Sequence, residues 1–328
     1  MDVQVPFTAD DVARTRFAVS PMWEVVTSFR LLTRPSAPAP YPRWAARVRP
    51  LVRSAGLDRG RLADLVPPDG FLADLLTPLP ATAFPTLAEE LAAIRATDPE
   101  HLVEDLDALV ADGRVPAARL APLRADPAAT LAQVADEAAR YWEIALAPWW
   151  SRITTVLEAD VFQRARSVAG LGAAHVLNEL HESVSWDEGS LNLVRRSCKV
   201  TRQGAGAGLV LVPSVFLRDR VLTRTTPPDP PQLAYPALGA GTVWEPRPTG
   251  QLDALAAVLG RSRALLLAEL DSPASTTQLA QRAGLTAAGV SQHLTAMRDA
   301  GLVSAHRAGR SVLYARTVTA DALVGPQA

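Results

Sequence analysis

The stretch that most constrains this chain runs from Thr276 to Arg316, near its C-terminal end. Two short helical patterns are separated there by Gly284, and two short strand patterns follow, joined around Gly309. Glycine readily adopts the left-handed conformation that ends a helix, so Gly284 predicts a tight turn between the two helices. The succession is typical of a winged helix-turn-helix, a module that lays its second helix in the DNA major groove.

The second helix is predicted to begin after Thr286, whose hydroxyl can cap it, and to end at Gly301. Its inward face carries Val290, Leu294 and Met297, spaced four and three residues apart. The opposite face and the wing carry small, hydrogen-bonding or cationic side chains, which suit base edges and phosphates. We predict that DNA is contacted by Thr286, Ala287, Ala288, Ser291, Gln292, His293, Thr295, Arg298, Arg307 and Arg310.

Within this set, Gln292 is the strongest candidate for reading a base, because its amide can pair with adenine through two hydrogen bonds. Arg310 lies at the tip of the predicted wing turn with Arg307 beside it, and both fit phosphate or minor-groove contacts. His293 is interpreted as a residue that packs or contacts phosphate, with metal ligation as the alternative.

The residues of this stretch also resemble a known family. The segment LAQRAGLTAAGVSQHLTAMRDAGLVSAHRAGRSVLYA resembles the ArsR-type winged-helix repressors, above all in its SQHL, AGLV and R.GR motifs. The resemblance implies a dimer that binds or releases operator DNA on sensing an effector. Metal-sensing members place a Cys-x-Cys pair on the helix before the motif, but no cysteine lies between Arg261 and Ala328. Sensing of arsenic or cadmium by that pair is therefore rejected.

Three earlier segments resemble the long actinobacterial form of these regulators: SPMWE, LVLVPSVF and YPALGAGTVWE. That form carries a large N-terminal domain with no assigned role. We predict a mainly α protein, with a helical domain over residues 1–246 that includes a small antiparallel β-sheet near residues 189–244. A winged helix-turn-helix follows over residues 251–328. The large domain is expected to provide dimerisation, sensing of a small-molecule or protein effector, or both.

Composition narrows the function classes. The net charge is −1 over 328 residues, so DNA binding must come from a local patch. The single cysteine, Cys198, excludes an intrachain disulfide and a zinc site of cysteine pairs, and it suits a reducing cytoplasm. No run reaches the ~18–20 apolar residues of a membrane span, and the first residues lack the apolar run of a signal peptide. We expect a cytoplasmic protein without a cofactor.

Prolines and glycines predict the breaks in the large domain. Ser20 and Pro21 predict a helix start, followed by one apolar face that includes Met22, Val25 and Phe29. Pro148 is predicted to kink or split the longest helical tract, residues 127–184. Residues 10–17 are predicted helical, residues 227–236 a loop, and residues 239–244 a last strand.

Trp142, Trp149 and Trp150 cluster near the predicted break. Two interpretations stay open for them, a core where helices cross and the aromatic wall of a ligand pocket.

The sequence signals for metal or anion binding are weaker than those for DNA binding. His175, Glu179 and Glu182 would share one face of a helix, either a solvated polar face or a divalent cation site. The most basic region is interpreted as an exposed sheet edge, an auxiliary DNA contact or an anionic effector site. It comprises Arg195, Arg196, Lys199, Arg202, Arg218, Arg220 and Arg224.

No enzyme signature is recognisable. The glycine run over residues 204–208 lacks the spacing and the following helix of a phosphate loop. A winged helix that binds protein instead of DNA, and an enzyme with a regulatory winged helix, remain the alternatives.

Overall fold

A computed structural model describes residues 3–6, 8–187, 190–193, 206–244, 249–308 and 311–324. The chain divides into an N-terminal unit, Met1–Trp244, and a C-terminal unit, Glu245–Ala328. Within the described ranges, no helix combines the length and the apolar character needed to cross a bilayer. The mainly α fold class predicted from the sequence is confirmed.

Helices make up most of the N-terminal unit. They are α1 (Ala9–Ala13), α2 (Pro21–Thr33), α3 (Pro42–Ser54), α4 (Arg61–Leu65), α5 (Leu87–Arg95), α6 (Pro99–Asp112), α7 (Ala117–Ala125), α8 (Pro127–Ala145), α9 (Trp150–Leu171) and α10 (Ala173–Asn178). Single 3₁₀ turns occur at Leu57–Arg59, Asp74–Leu76, Ala147–Trp149 and Ala240–Val243.

Helix α2 begins as predicted. The Ser20 hydroxyl accepts a hydrogen bond from the Trp23 backbone N–H, and Pro21 occupies the first turn. The predicted apolar face is buried, but the remaining faces are buried as well, since every residue from Pro21 to Leu32 is buried. The helix packs against α5, α8 and the strand at Val210–Ser214, so all its faces are covered. Its polar side chains find partners in the interior, among them the Trp23 indole, which donates to Gln232 Oε1 at 2.8 Å.

Two sheets complete this unit. Their strands are β1 (Val3–Pro6), β2 (Arg16–Phe17), β3 (Val184–Asp187), β4 (Ser190–Leu193), β5 (Val210–Ser214), β6 (Leu222–Arg224) and β7 (Gln232–Pro236). The order β1-β4-β3 forms an antiparallel sheet. The other sheet, in the order β2-β5-β7-β6, is mixed, since β5 runs parallel to both of its neighbours and β6 runs antiparallel to β7.

Strand β5 makes both parallel pairings of the mixed sheet. All five of its residues are buried, which is typical of a parallel strand covered on both faces.

Three local predictions of secondary structure in the N-terminal unit are wrong. Residues 10–17 are helical only to Ala13 and then enter β2, the proline-rich residues 227–236 contain β7, and residues 239–244 form a 3₁₀ turn instead of a strand.

The break at Pro148 is confirmed, since a 3₁₀ turn at Ala147–Trp149 separates α8 from α9. Trp142 is buried and packs edge-on against Trp150, with ring centroids 4.5 Å apart. Trp149 is half-buried; it packs on Trp244 at 5.4 Å and also lines a groove with α3. The core interpretation is therefore confirmed for Trp142, and the ligand-pocket interpretation stays a prediction.

The predicted polar face of His175, Glu179 and Glu182 is wrong, because α10 ends at Asn178. Glu179 is its C-terminal cap and Glu182 lies in the following turn, so the helical spacing does not apply. Among the residues that the structure describes, no group of three His, Cys, Asp or Glu side chains is placed to hold a metal ion.

The C-terminal unit contains α11 (Thr249–Leu259), α12 (Arg261–Glu269), β8 (Ala274–Ser275), α13 (Thr276–Ala283), α14 (Ala287–Asp299), β9 (Val303–Ala308), β10 (Ser311–Arg316) and α15 (Val318–Val324). Its sheet has the order β8-β10-β9 and is antiparallel. Its own core is built around residues of α12, α13 and α14, which include Leu266, Leu279, Val290, Leu294 and Met297.

Candidate nucleic-acid interface

Local sequence signals set the angle between α13 and α14. Ser275 and Gln278 form a capping box: the Ser275 hydroxyl accepts from the Gln278 N–H, and Gln278 Oε1 accepts from the Ser275 N–H at 2.8 Å. Gly284 ends α13 in the left-handed conformation with φ of 65°. The Leu285 N–H then donates to the Ala280 carbonyl at 3.0 Å, which closes the turn.

Helix α14 has a buried face and an exposed face, as its sequence predicts. Thr286 caps it, since its hydroxyl accepts from the Gly289 N–H at 3.2 Å. Val290, Leu294 and Met297 are buried and anchor the helix. The predicted contact residues lie on the other side: Thr286, Ala287, Ala288, Ser291, Gln292, Thr295 and Arg298 are exposed, and His293 is half-buried.

This exposed face carries few long side chains. Ala287, Ala288 and Ser291 leave the helix backbone accessible, which is what close approach to a groove requires. Arg298 ends the row, and its guanidinium lies 3.4 Å from the Asp299 carboxylate. Both groups of that pair are largely exposed, so the pair is weak and easily exchanged for a phosphate.

The wing is formed by β9 and β10, in which Arg307 lies opposite Val312 and Ala308 opposite Ser311. Arg307 is exposed beside the turn. Arg310, predicted for the wing tip, and Gly309 lie outside the described residues. Sequence reasoning missed β8, which pairs Ala274 with Tyr314 and so ties the wing to the start of α13.

Arg316 has a structural position. Its Nη1 donates to the Leu267 carbonyl at 3.1 Å and to Asp271 at 3.0 Å, and its Nε donates to Asp321 at 2.7 Å. It therefore joins α12, the following turn and α15. All three of these contacts lie within the C-terminal unit.

The basic region of the N-terminal unit is only partly visible. Arg195, Arg196, Lys199 and Arg202 lie outside the described residues. Arg224 is buried and paired with Asp229 at 2.8 Å, and Arg220 is paired with Asp69 at 2.9 Å. The exposed Arg218 donates to the Ala39 carbonyl at 2.7 Å. These three arginines thus contact their own unit instead of forming a free sheet edge.

Comparison with known families agrees with this geometry. Residues 261–305, from α12 into β9, match the family model for bacterial regulatory proteins of the arsR family. Neither the curated proteins nor the solved structures gave a match. The match shows an ArsR-family helix-turn-helix domain over residues 261–305 of the C-terminal unit, and this domain supports a DNA-binding transcription regulator.

Proposed function

We propose that this chain is a sequence-specific transcriptional repressor that binds operator DNA as a homodimer. The observation that carries the proposal is α14, which holds three buried anchors on one face and only small or hydrogen-bonding side chains and one arginine among the predicted contacts on the other. A helix of this construction enters the major groove with its backbone close to the base edges.

Each predicted side chain has a defined task in this proposal. Gln292 reads an adenine, and Ser291 and Thr295 contact base edges or phosphates. Arg298, Arg307 and Arg310 neutralise phosphates, and Arg307 with Arg310 belongs to the wing. The half-buried His293 adds a phosphate contact or packs against the core.

Helix α11 supports the homodimer. From Asp253 to Leu259 its side chains are mostly apolar, yet none of them is buried. Val258 is 81% exposed, and Leu323 of α15 is 45% exposed. Apolar surface of this kind on a helix marks a contact with another protein surface. We assign it to a second copy of the chain, because two recognition helices about 34 Å apart would meet successive turns of the major groove.

The N-terminal unit is proposed to regulate DNA binding through an effector or partner. An effector that binds one arrangement of the dimer better than another changes the population of the DNA-binding arrangement, and so the operator affinity. The alternative from another class is a scaffold whose winged helix binds protein. Exposed small side chains on α14 favour DNA over that alternative, because they offer little apolar area to a protein partner.

Fluorescence anisotropy with a fragment selected from random duplex DNA tests the proposal. We expect salt-sensitive, sequence-selective binding, and Gln292→Ala should weaken the selected site by about 1–3 kcal/mol while leaving non-specific binding unchanged. Gln163→Ala, an exposed glutamine of α9, is the matched control. A chain that selects no sequence and binds no duplex at low salt would refute DNA binding and favour the scaffold.

Sedimentation tests the dimer separately. Val258→Asp places a charge in the proposed contact and should shift the chain to the monomer, whereas Val110→Asp on α6, also exposed, should not. Equal sedimentation of both variants and the parent protein would remove α11 from the interface.

A further inference from the structure

A small cleft in the N-terminal unit is lined by four arginines that DNA binding does not use. It lies between α2 and the segment that leads into β6, and its enclosed space is about 30 Å³ before it opens to solvent. Space of that size holds roughly one water molecule or the head of one small anion. Arg30 comes from α2, Arg34 from its C-terminal cap, and Arg218 and Arg220 from the facing segment.

Arg30 is the interior member of this set, with only 4% of its surface exposed. Its Nε donates to the Pro67 carbonyl at 2.9 Å, and its Nη2 donates to the carbonyls of Gly70 and Phe71 at 3.1 Å each. These acceptors are neutral, so they hold the guanidinium in place without cancelling its charge. Burial and the neighbouring Arg220 lower the pKa of Arg30 to about 10, and the group therefore remains cationic at neutral pH.

The carboxylates nearby do not balance the arginines. Asp69 accepts hydrogen bonds from both Arg34, at 3.2 Å, and Arg220, at 2.9 Å, through the same oxygen. Burial opposes its ionisation, but Arg220 and Arg34 outweigh burial and hold the pKa of Asp69 below its usual range. Asp219 lines the cleft itself and lies 3.7 Å from Arg220. Four cations thus face two anions, and Asp112, which also acts on Arg30, is engaged with Arg114 at 3.1 Å.

We propose that this cleft binds a small oxyanion, the carboxylate or phosphate head of an organic ligand. Guanidinium groups present paired N–H donors that match the oxygens of both heads. The walls contributed by Leu31, Tyr41 and Phe216 are apolar, so they exclude hydrated cations and accept a carbon skeleton. The head enters beside Arg30, and the remainder of the ligand occupies the open mouth near Arg218.

The site also offers a route to regulation, and that further step rests on the proposed DNA binding. Arg30 lies on α2 and Arg34 caps its C-terminal end. The helix is buried from Pro21 to Leu32 and hydrogen-bonded to β5 and β7 through Thr27 and Trp23. An anion that draws Arg34 and Arg220 together acts on this central helix directly. Binding of the anion would therefore increase the population of the arrangement of the N-terminal unit in which the cleft is closed.

Isothermal titration of the full chain without DNA tests the site, using inorganic phosphate, acetate and benzoate at ionic strength matched with sodium chloride. We expect saturable one-to-one binding of at least one probe. The double variant Arg34→Gln with Arg220→Gln should weaken it by at least about tenfold, since each charged hydrogen bond contributes about 1.5–3 kcal/mol. Arg95→Gln, which removes an exposed arginine paired with Asp136 at 2.7 Å, should leave it unchanged.

Arg218→Gln is the second variant, because it alters an exposed side chain and leaves the Asp69 pairs intact. It should weaken binding severalfold in a chain of parental thermal stability. Phosphate binding without carboxylate binding would identify a phosphate ligand, and the reverse a carboxylate. Absence of saturable binding by all three probes, or equal loss in Arg95→Gln, would overturn the proposal. Because no DNA is present, this outcome is independent of whether the C-terminal unit binds DNA.

Discussion

Helices α2 and α14 have the same length, thirteen residues, and opposite surroundings. Twelve residues of α2 are buried, including the ionisable Glu24 and Arg30, whereas α14 buries only Val290, Leu294 and Met297. The burial of α2 depends on the elements packed around it, and its polar groups need partners from distant parts of the chain. The division of α14 into a buried and an exposed face follows from its own sequence pattern, and most of its surface remains accessible to a partner.

The largest expected effect is that of a substitution that creates a cavity in the core around α2. Phe29 is 1% exposed and packs edge-on against Tyr141, with ring centroids 5.1 Å apart. Phe29→Ala should lower the free energy of unfolding of the N-terminal unit by about 3–5 kcal/mol. All seven tryptophans lie between Trp23 and Trp244, so tryptophan fluorescence during urea denaturation reports on this unit alone.

The control is Phe84→Ala, since that side chain is 54% exposed and should change stability by less than about 1 kcal/mol. On α14, Thr295→Ala should leave amide exchange of the C-terminal unit unchanged, because its side chain is exposed. Comparable destabilisation by Phe29→Ala and Phe84→Ala would contradict the contrast between the two helices.

The same contrast explains what could be predicted from sequence. The caps at Ser20 and Thr286 and the turn at Gly284 depend on residues within a few positions of each other, and all are found as predicted. The pairing of β5 with β2 joins segments far apart in the chain, and no local pattern encodes this pairing or the parallel pairing of β5 with β7. An apolar run without alternation was nonetheless a usable signal for a parallel strand.

Long-range partners also decide which charges are available at a surface. Arg307 and Arg316 are indistinguishable in sequence, yet one is exposed and the other bonded to three groups of its own unit. The exposed face of α14 was predictable because helical period alone determines it. The arginine cleft beside α2 was not predictable, because its two pairs of arginines are separated by about 180 positions in the chain. No periodic pattern spans such a separation.

Glu24 should make the stability of the N-terminal unit depend on pH. Its carboxyl is fully buried; Oε1 accepts from the Val215 N–H at 3.2 Å, and Oε2 has no hydrogen-bond partner among the described atoms. Burial raises the pKa of Glu24 from 4.5 to about 8, although hydrogen bonds from Ser214 and Val215 oppose the shift. At pH values between these two, the unfolded chain releases a proton that the folded unit retains. The contribution of Glu24 to stability is therefore fully present below about pH 4.5 and is lost as the pH rises toward 8, by up to about 1.4 kcal/mol per pH unit.

Glu24→Gln mimics the protonated carboxyl. It should reduce the slope of the unfolding free energy against pH by the contribution of about one proton, measured by urea denaturation at several pH values. A smaller slope should remain, because burial also raises the pKa of Glu90 and of Asp105 to about 7 each. The exposed Glu104→Gln is the control and should retain the parental slope. An unchanged slope in Glu24→Gln would show that the buried carboxyl does not retain its proton.

Arg316 and Arg307 test whether the contrast also holds within the C-terminal unit. Arg316→Gln removes two ion pairs and a hydrogen bond to the Leu267 carbonyl, and should destabilise this unit by about 1–3 kcal/mol. Arg307→Gln should leave stability within about 0.5 kcal/mol and reduce the salt dependence of DNA binding by roughly one counterion. Amide exchange measures the first effect and anisotropy the second; similar effects of both variants on amide exchange would contradict the distinction.

The smallest expected effect compares the caps that begin the two helices. The Thr286 hydroxyl is exposed and makes one cap hydrogen bond, to the Gly289 N–H, so Thr286→Ala should destabilise the C-terminal unit by about 1 kcal/mol. Ser20 is buried and also donates to Glu90 Oε1 at 2.6 Å, so Ser20→Ala removes a cap and leaves a buried carboxyl short of a donor. Its cost should exceed that of Thr286→Ala, because an unsatisfied buried group adds its own penalty. Thr286→Ser keeps the cap and should restore both amide protection of α14 and DNA affinity. Equal losses in the free energy of unfolding for Ser20→Ala and Thr286→Ala would contradict this expectation. They would show that the buried surroundings of Ser20 add nothing to the effect of losing the cap.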